Sequence, residues 1–180
     1  MVYAQQSEGF FNGSSYVRLY SSISLQGHTG LSFRTCVGGE LFSQTNGPNK
    51  ISLEVRNDGL LFSVKINEES FDTQLNVRLL DNTWHLVNLL YRLGNLTLSV
   101  HGHSKIVANS TYNSEILRYP ELSSGNSVLI VGRDFHGCLL EGPSLVFNVS
   151  TVQSHNVEWG RCLLSTSSCC TTKSLTVVIF

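Results

Sequence analysis

The chain has 180 residues, 12 basic and 13 acidic side chains, and a formal net charge of −1. This length fits one domain with a sizeable core, and the charge balance excludes a phosphate-tracking nucleic-acid binder and a basic membrane-surface module. Hydrophobic residues make up 41% and charged residues 14%, so the chain is not disordered. Its polar surface rests on 25 Ser, 12 Thr and 14 Asn, a balance typical of extracellular β proteins.

No segment sustains the spacing of an amphipathic helix, whereas two-residue alternation recurs throughout. Residues 16–19 open the series, and Leu31, Phe33 and Thr35 share a face of the next strand. Ile51, Leu53 and Val55 form a third, and Phe62, Val64 and Ile66 a fourth. Between these two lies Asn57-Asp58-Gly59, a hairpin signal because Asp and Gly tolerate tight-turn dihedrals. The apolar run 84–91 reads as a central strand buried on both faces. Gly94-Asn95 then turns the chain into the alternating Leu96, Leu98 and Val100. Residues 127–131, 138–140 and 145–149 complete the pattern. About a dozen short strands, roughly 8–12 residues apart, predict an all-β sandwich or barrel. Residues 120–123 and 152–157 are the candidate helical turns, and no boundary or repeat precedes Cys162.

The N-terminus lacks the basic and apolar regions of a signal peptide, and no run approaches the roughly 18 apolar residues of a membrane span. Set against the extracellular composition, this leads us to expect a chain shortened at both ends relative to a longer protein. Eight of the last 16 residues are Ser or Thr, followed by an apolar end at 175–180. We therefore expect an N-terminal extension at 1–7, a domain at 8–163, and a disordered or foreign tail at 164–180. Five cysteines without a Cys-x-x-Cys argue against zinc-ribbon and thioredoxin readings, and the odd count leaves at least one thiol unpaired within the chain.

Four motifs in order carry a resemblance. They are Phe11-Asn12-Gly13-Ser14-Ser15-Tyr16-Val17, then Leu31-Ser32-Phe33-Arg34-Thr35. Leu79-Leu80-Asp81-Asn82-Thr83-Trp84-His85-Leu86-Val87 follows, and last Ile130-Val131-Gly132 with Phe135-His136-Gly137-Cys138-Leu139. Together, over residues 8–163, they resemble the laminin G-like domain, the jelly-roll module of laminins, neurexins, Crumbs proteins and Fat-type cadherins. The resemblance implies a two-sheet antiparallel jelly-roll sandwich. Cys36-Val37-Gly38-Gly39-Glu40-Leu41-Phe42 and Asp81-Asn82-Thr83 depart from the usual family pattern. They place the chain beside the divergent modules found between EGF-like repeats in Crumbs-type and Fat-type receptors.

By resemblance, Phe33, Trp84, His85 and Gly137 carry the family motif, Trp84 as core and His85 as a hydrogen-bonded structural residue rather than a base. The resemblance also pairs Cys138 with Cys162 in a disulfide, which implies an oxidising compartment. Many family members hold one Ca²⁺ at the rim. Asp72, Asp81 and Asp134 are the loop candidates here, though none aligns with a family ligand, and no other cofactor is expected.

Asn12, Asn95, Asn109 and Asn148 begin glycosylation sequons. Chance gives roughly three in such a composition, so position carries the argument; Asn95 is expected in a turn and Asn109 in a polar loop. His101 and His103 fall on one face if they lie on a strand, solvent-facing and without a visible third ligand. The basic residues are spread evenly, so heparin binding is not expected.

No nucleophile elbow, dinucleotide fingerprint or phosphate loop occurs. Glu68 and Glu69 face opposite ways on a strand and cannot act as a glycosidase pair, so no enzyme is expected. A lectin-like module is the alternative, with Phe71-Asp72 and Asp134-Phe135 as its aromatic and acidic candidates. The leading expectation is a non-catalytic extracellular or cell-surface interaction module of a larger EGF-repeat receptor or matrix protein. Its role would be adhesion, polarity or cell–cell signalling through a protein partner or a glycan, with no membrane insertion by this chain.

Overall fold

The computed structural model describes residues 8–118, 127–147, 152–160 and 162. The candidate turn at 120–123, Asn148, and the extension and tail expected at 1–7 and 164–180 lie outside the described residues.

Alternating residues generate strands in chain order: β1 Glu8–Asn12, β2 Tyr16–Leu19, β3 His28–Asn46, β4 Asn49–Arg56, β5 Gly59–Ile66 and β6 Glu69–Asn76. They continue as β7 His85–Arg92, β8 Asn95–Val100, β9 His103–Ala108, β10 Val128–Val131, β11 His136–Leu140, β12 Gln153–His155 and β13 Glu158–Trp159. Among the described residues one short helix, α1 Ser114–Arg118, buries Ile116.

All pairings among the described residues are antiparallel, and they resolve into two layers. The first runs β13-β1-β11-β3-β7-β8-β9. The second runs β12-β2-β10-β3-β4-β5-β6. Strand β3 belongs to both. Its first half pairs with β7 and β11, its second with β4 and β10. The change of layer falls at Gly38 and Gly39, at φ 92° and 123°. A Cβ at Gly39 would lie 2.6 Å from Phe135 Cα and closer still to the Asp134 carbonyl. Glycine is needed here for both its dihedral freedom and its lack of bulk.

The inner faces close on one core. Leu31 and Phe33 from β3, Leu53 from β4, Phe62 and Val64 from β5, Leu98 from β8 and Val131 from β10 are all at most 1% exposed. Each such burial contributes about 1.5–3 kcal/mol. Phe11 and Phe135 meet edge to face, 6.4 Å between centroids. The buried Gln44 satisfies both ends of its amide on the Ile23 backbone, at 2.7 and 3.3 Å, and so ties down the segment between β2 and β3.

Several expectations need correction. Strand β7 alternates instead of burying both faces: Leu86 and Leu90 are 50% and 37% exposed. Its run of apolar letters hid a solvent face. The turn after it is Leu93-Gly94, both at positive φ, while Asn95 already pairs with Arg92 in β8. The segment expected as a helical turn at 152–157 instead supplies β12, paired with β2. In the segment expected at 145–149, the described part holds a single bridge between Gly142 and Leu145.

Candidate functional site

At the start of β7, the Asp81 side chain organises the chain. One oxygen accepts hydrogen bonds from the Thr83 N–H and hydroxyl at 2.9 and 2.8 Å, and lies 2.8 Å from His85 Nε2. Burial would push this carboxyl up, but the bonds from Thr83 and His85 outweigh it and hold the pKa below its ordinary value. His85 is 3% exposed and packs on Phe33, with 5.4 Å between centroids. Its Nδ1 faces Nε2 of His101, the rings meeting edge-on at 4.6 Å. Both nitrogens of His85 are thus occupied, and the buried imidazole joins the β7 entry to the β8–β9 turn. The Thr83 hydroxyl also lies 3.3 Å from His85 Nε2 but is aimed at Asp81, to which it donates at 2.8 Å.

Trp84 is not core, contrary to the sequence expectation. It precedes β7, is 37% exposed, and carries the Arg34 guanidinium 5.4 Å from its ring centroid. The inward position at this strand end goes to His85 instead, since adjacent residues face opposite ways. Arg34 also donates to the Cys162 carbonyl at 2.7 Å. Cys162 is bonded to Cys138 of β11, with 5.9 Å between Cα atoms. Glu8 accepts from the Cys162 N–H at 3.0 Å. Cys36 is outside this disulfide. Gly137 sits in β11 at φ 153°, where a Cβ would collide with the Arg34 carbonyl.

The metal candidates are not gathered. Asp72 lies on β6, not in a loop, and pairs with Ser63. Asp81 caps its turn, and Asp134 holds a positive-φ corner between β10 and β11. Among the described residues no three His, Cys, Asp or Glu side chains form a metal-binding group. His101 and His103 do not share a strand face, because His101 forms the turn at φ 48° and β9 begins at His103. The lectin candidates separate too. Phe71 packs on the core while Asp72 faces out, and Phe135 is fully buried and offers no sugar platform. Glu69 begins β6 and Glu68 precedes it in a turn.

The described sequons differ in setting. Asn12 and Asn109 each turn Oδ1 onto the hydroxyl and backbone N–H of a nearby Ser or Thr within the sequon. Asn95 opens β8, half-buried.

A cleft that no motif announced lies on the outer face of the second layer. It has a volume of 730 Å³. Val128, Ile130 and Val152, half-buried, form its floor. Arg18, Arg133, Tyr16 and the polar side of β12 stand around it, and among the described residues no acidic one lines it. Arg18 and Ile130 are paired across β2 and β10. Tyr16 and His155 stack with 5.2 Å between centroids. Among the described residues, Lys50 and Arg56 are neutralised by Glu40 and Glu54, whereas neither Arg18 nor Arg133 has a hydrogen-bond or ion-pair partner. Three segments far apart in the chain supply this cleft, so no local pattern could have shown it.

Comparison with known proteins accords with this architecture. The profile of the Laminin G domain family matches residues 33–141. The structure of the mouse laminin alpha1 chain, domains LG4-5, aligns with a TM-score of 0.56 at 22% identity, over 86% of this chain and 47% of that one. This chain thus spans about half the length of that laminin structure. A heptameric SAP-like pentraxin from Limulus polyphemus aligns at 0.53 with 12% identity, over 89% and 97% of the two chains. At these identities the likeness is one of fold. No curated protein matches by sequence. Among the described residues no helix is long and apolar enough to cross a membrane.

Proposed function

Because the chain belongs to the laminin G domain family, we propose that it is a non-catalytic interaction module of a longer extracellular receptor or matrix protein built with EGF-like repeats. Its role is adhesion, polarity or cell–cell signalling. The observation that carries this reading is the cleft on the second layer. It is an open, partly apolar surface with two unpaired guanidinium groups, held on strands of a rigid sandwich. Such a surface suits a protein partner better than a reaction, since its described lining offers no carboxylate pair or activated nucleophile. The disulfide fits an oxidising compartment. Residues 8–163 form the module in this reading, and Asn12, Asn95, Asn109 and Asn148 carry N-glycans.

The test uses the secreted chain, fused to a reporter and applied to intact cells. Saturable binding that is lost when the cells are trypsinised, and kept when their glycans are enzymatically removed, supports the reading. Binding lost with the glycans alone points to the lectin alternative. No saturable binding on any of a broad set of cell types refutes the interaction module.

A further inference from the structure

We propose that the cleft between β2, β10 and β12 binds a short acidic segment of a partner protein, with an apolar side chain on its floor and flanking carboxylates on Arg18 and Arg133. This rests on the reading of the chain as an interaction module. The charge is one-sided, because among the described residues the lining includes Arg18, Arg133 and His155 and no acid. The two guanidinium groups are unspent, whereas the nearby Lys50 is already paired with Glu40 at 3.1 Å. A planar guanidinium without a partner is suited to grip a carboxylate through two parallel hydrogen bonds.

The floor decides the class of ligand. Val128, Ile130 and Val152 present half-buried apolar surface between the charged groups. A sulfated polysaccharide carries charge along its whole length and gains little from such a floor. A peptide in which acidic residues flank Leu, Ile or Val matches both features. The stacked Tyr16 and His155 bound one side of the cleft, and the phenol adds a hydroxyl donor on the same strand as Arg18.

The probe is a fluorescein-labelled peptide of sequence Glu-Leu-Glu, capped at both ends, followed by anisotropy against the full chain. A Gln-Leu-Gln peptide and a heparin oligosaccharide serve as competitors. Binding of the acidic peptide, weakened about tenfold by Arg18→Ala and by Arg133→Ala, is the expected result. Arg→Lys at either position restores part of it, since charge returns without the bidentate fork. The two arginines are exposed and unpartnered, so the melting temperature stays at the parent value and reports that the variants are folded. No binding up to about 1 mM peptide, equal binding of the Gln-Leu-Gln peptide, or affinity indifferent to both arginines overturns the proposal. So does arginine-dependent binding of heparin without binding of the peptide. If the cell-surface assay above remains positive in any of these cases, the ligand assigned to the cleft fails while the interaction-module reading stands.

Discussion

Replacing Gly39 with alanine tests whether β3 changes layers where the geometry places the change. At φ 123° an L-residue is strained, at a cost of about 1–2 kcal/mol. The added Cβ also meets backbone, not a movable side chain, on the Asp134–Phe135 corner. Displacing that corner resembles overpacking a core, which costs about 1–3 kcal/mol more. The sum is about 2–5 kcal/mol, and for a domain of this size that lowers the melting temperature by roughly 4–20 °C. Gly47 is the matched control, since it has φ 57° and open space around its hydrogen. Gly47→Ala keeps the dihedral strain, about 1 kcal/mol after the unfolded-state gain, and shifts melting by roughly 2–4 °C. Thermal unfolding followed by circular dichroism on both variants reads the difference. If Gly39→Ala melts no lower than Gly47→Ala, the layer change does not depend on close approach at this glycine, and the account of β3 is wrong.

Phe33→Ala, at a fully buried position, costs about 3–5 kcal/mol. Trp84→Ala costs about 1–2 kcal/mol, because the ring is a partly exposed cation–π partner of Arg34; urea titration that ranks Trp84 above Phe33 would contradict this placement. Asp81 has a folded pKa below its unfolded value near 3.8, so its stabilisation is present above that pH and fades as pH falls through the lower folded pKa. Asp81→Asn therefore melts below the parent at pH 7, and the gap closes in strong acid; a gap that widens on acidification reverses the sign and refutes the assignment. Losing the Cys138–Cys162 bond, which closes 24 positions of chain, costs about 3 kcal/mol. Non-reducing peptide mapping that joins Cys36 to either partner would overturn the pairing. Deletion of residues 166–180 leaves the melting temperature within a few degrees and improves solubility; a large drop would make the tail part of the domain.

The sequence by itself determined the class of fold and most of the inner face. Alternation in β4 and β5 places Leu53 and Phe62 inside whatever their neighbours are, because side-chain direction along a strand is a local, two-residue property. The family motifs also picked out the cysteines that pair. Other features were illegible for physical reasons. Strands β12 and β13 have three and two residues, too few to express a period. The exposed face of β7 carries Leu86 and Leu90, so its letters did not reveal its solvent side. Trp84 and His85 are neighbours of opposite orientation, and which one turned inward depended on whether Asp81 and His101 were placed to satisfy a buried imidazole. The cleft is the extreme case. Residues 16–18, 128–133 and 152–155 become neighbours through the pairing of β2 with both β10 and β12. Long-range strand pairing brings those arginines around one apolar floor, and pairing partners are decided by the folded layers, not by any window of sequence.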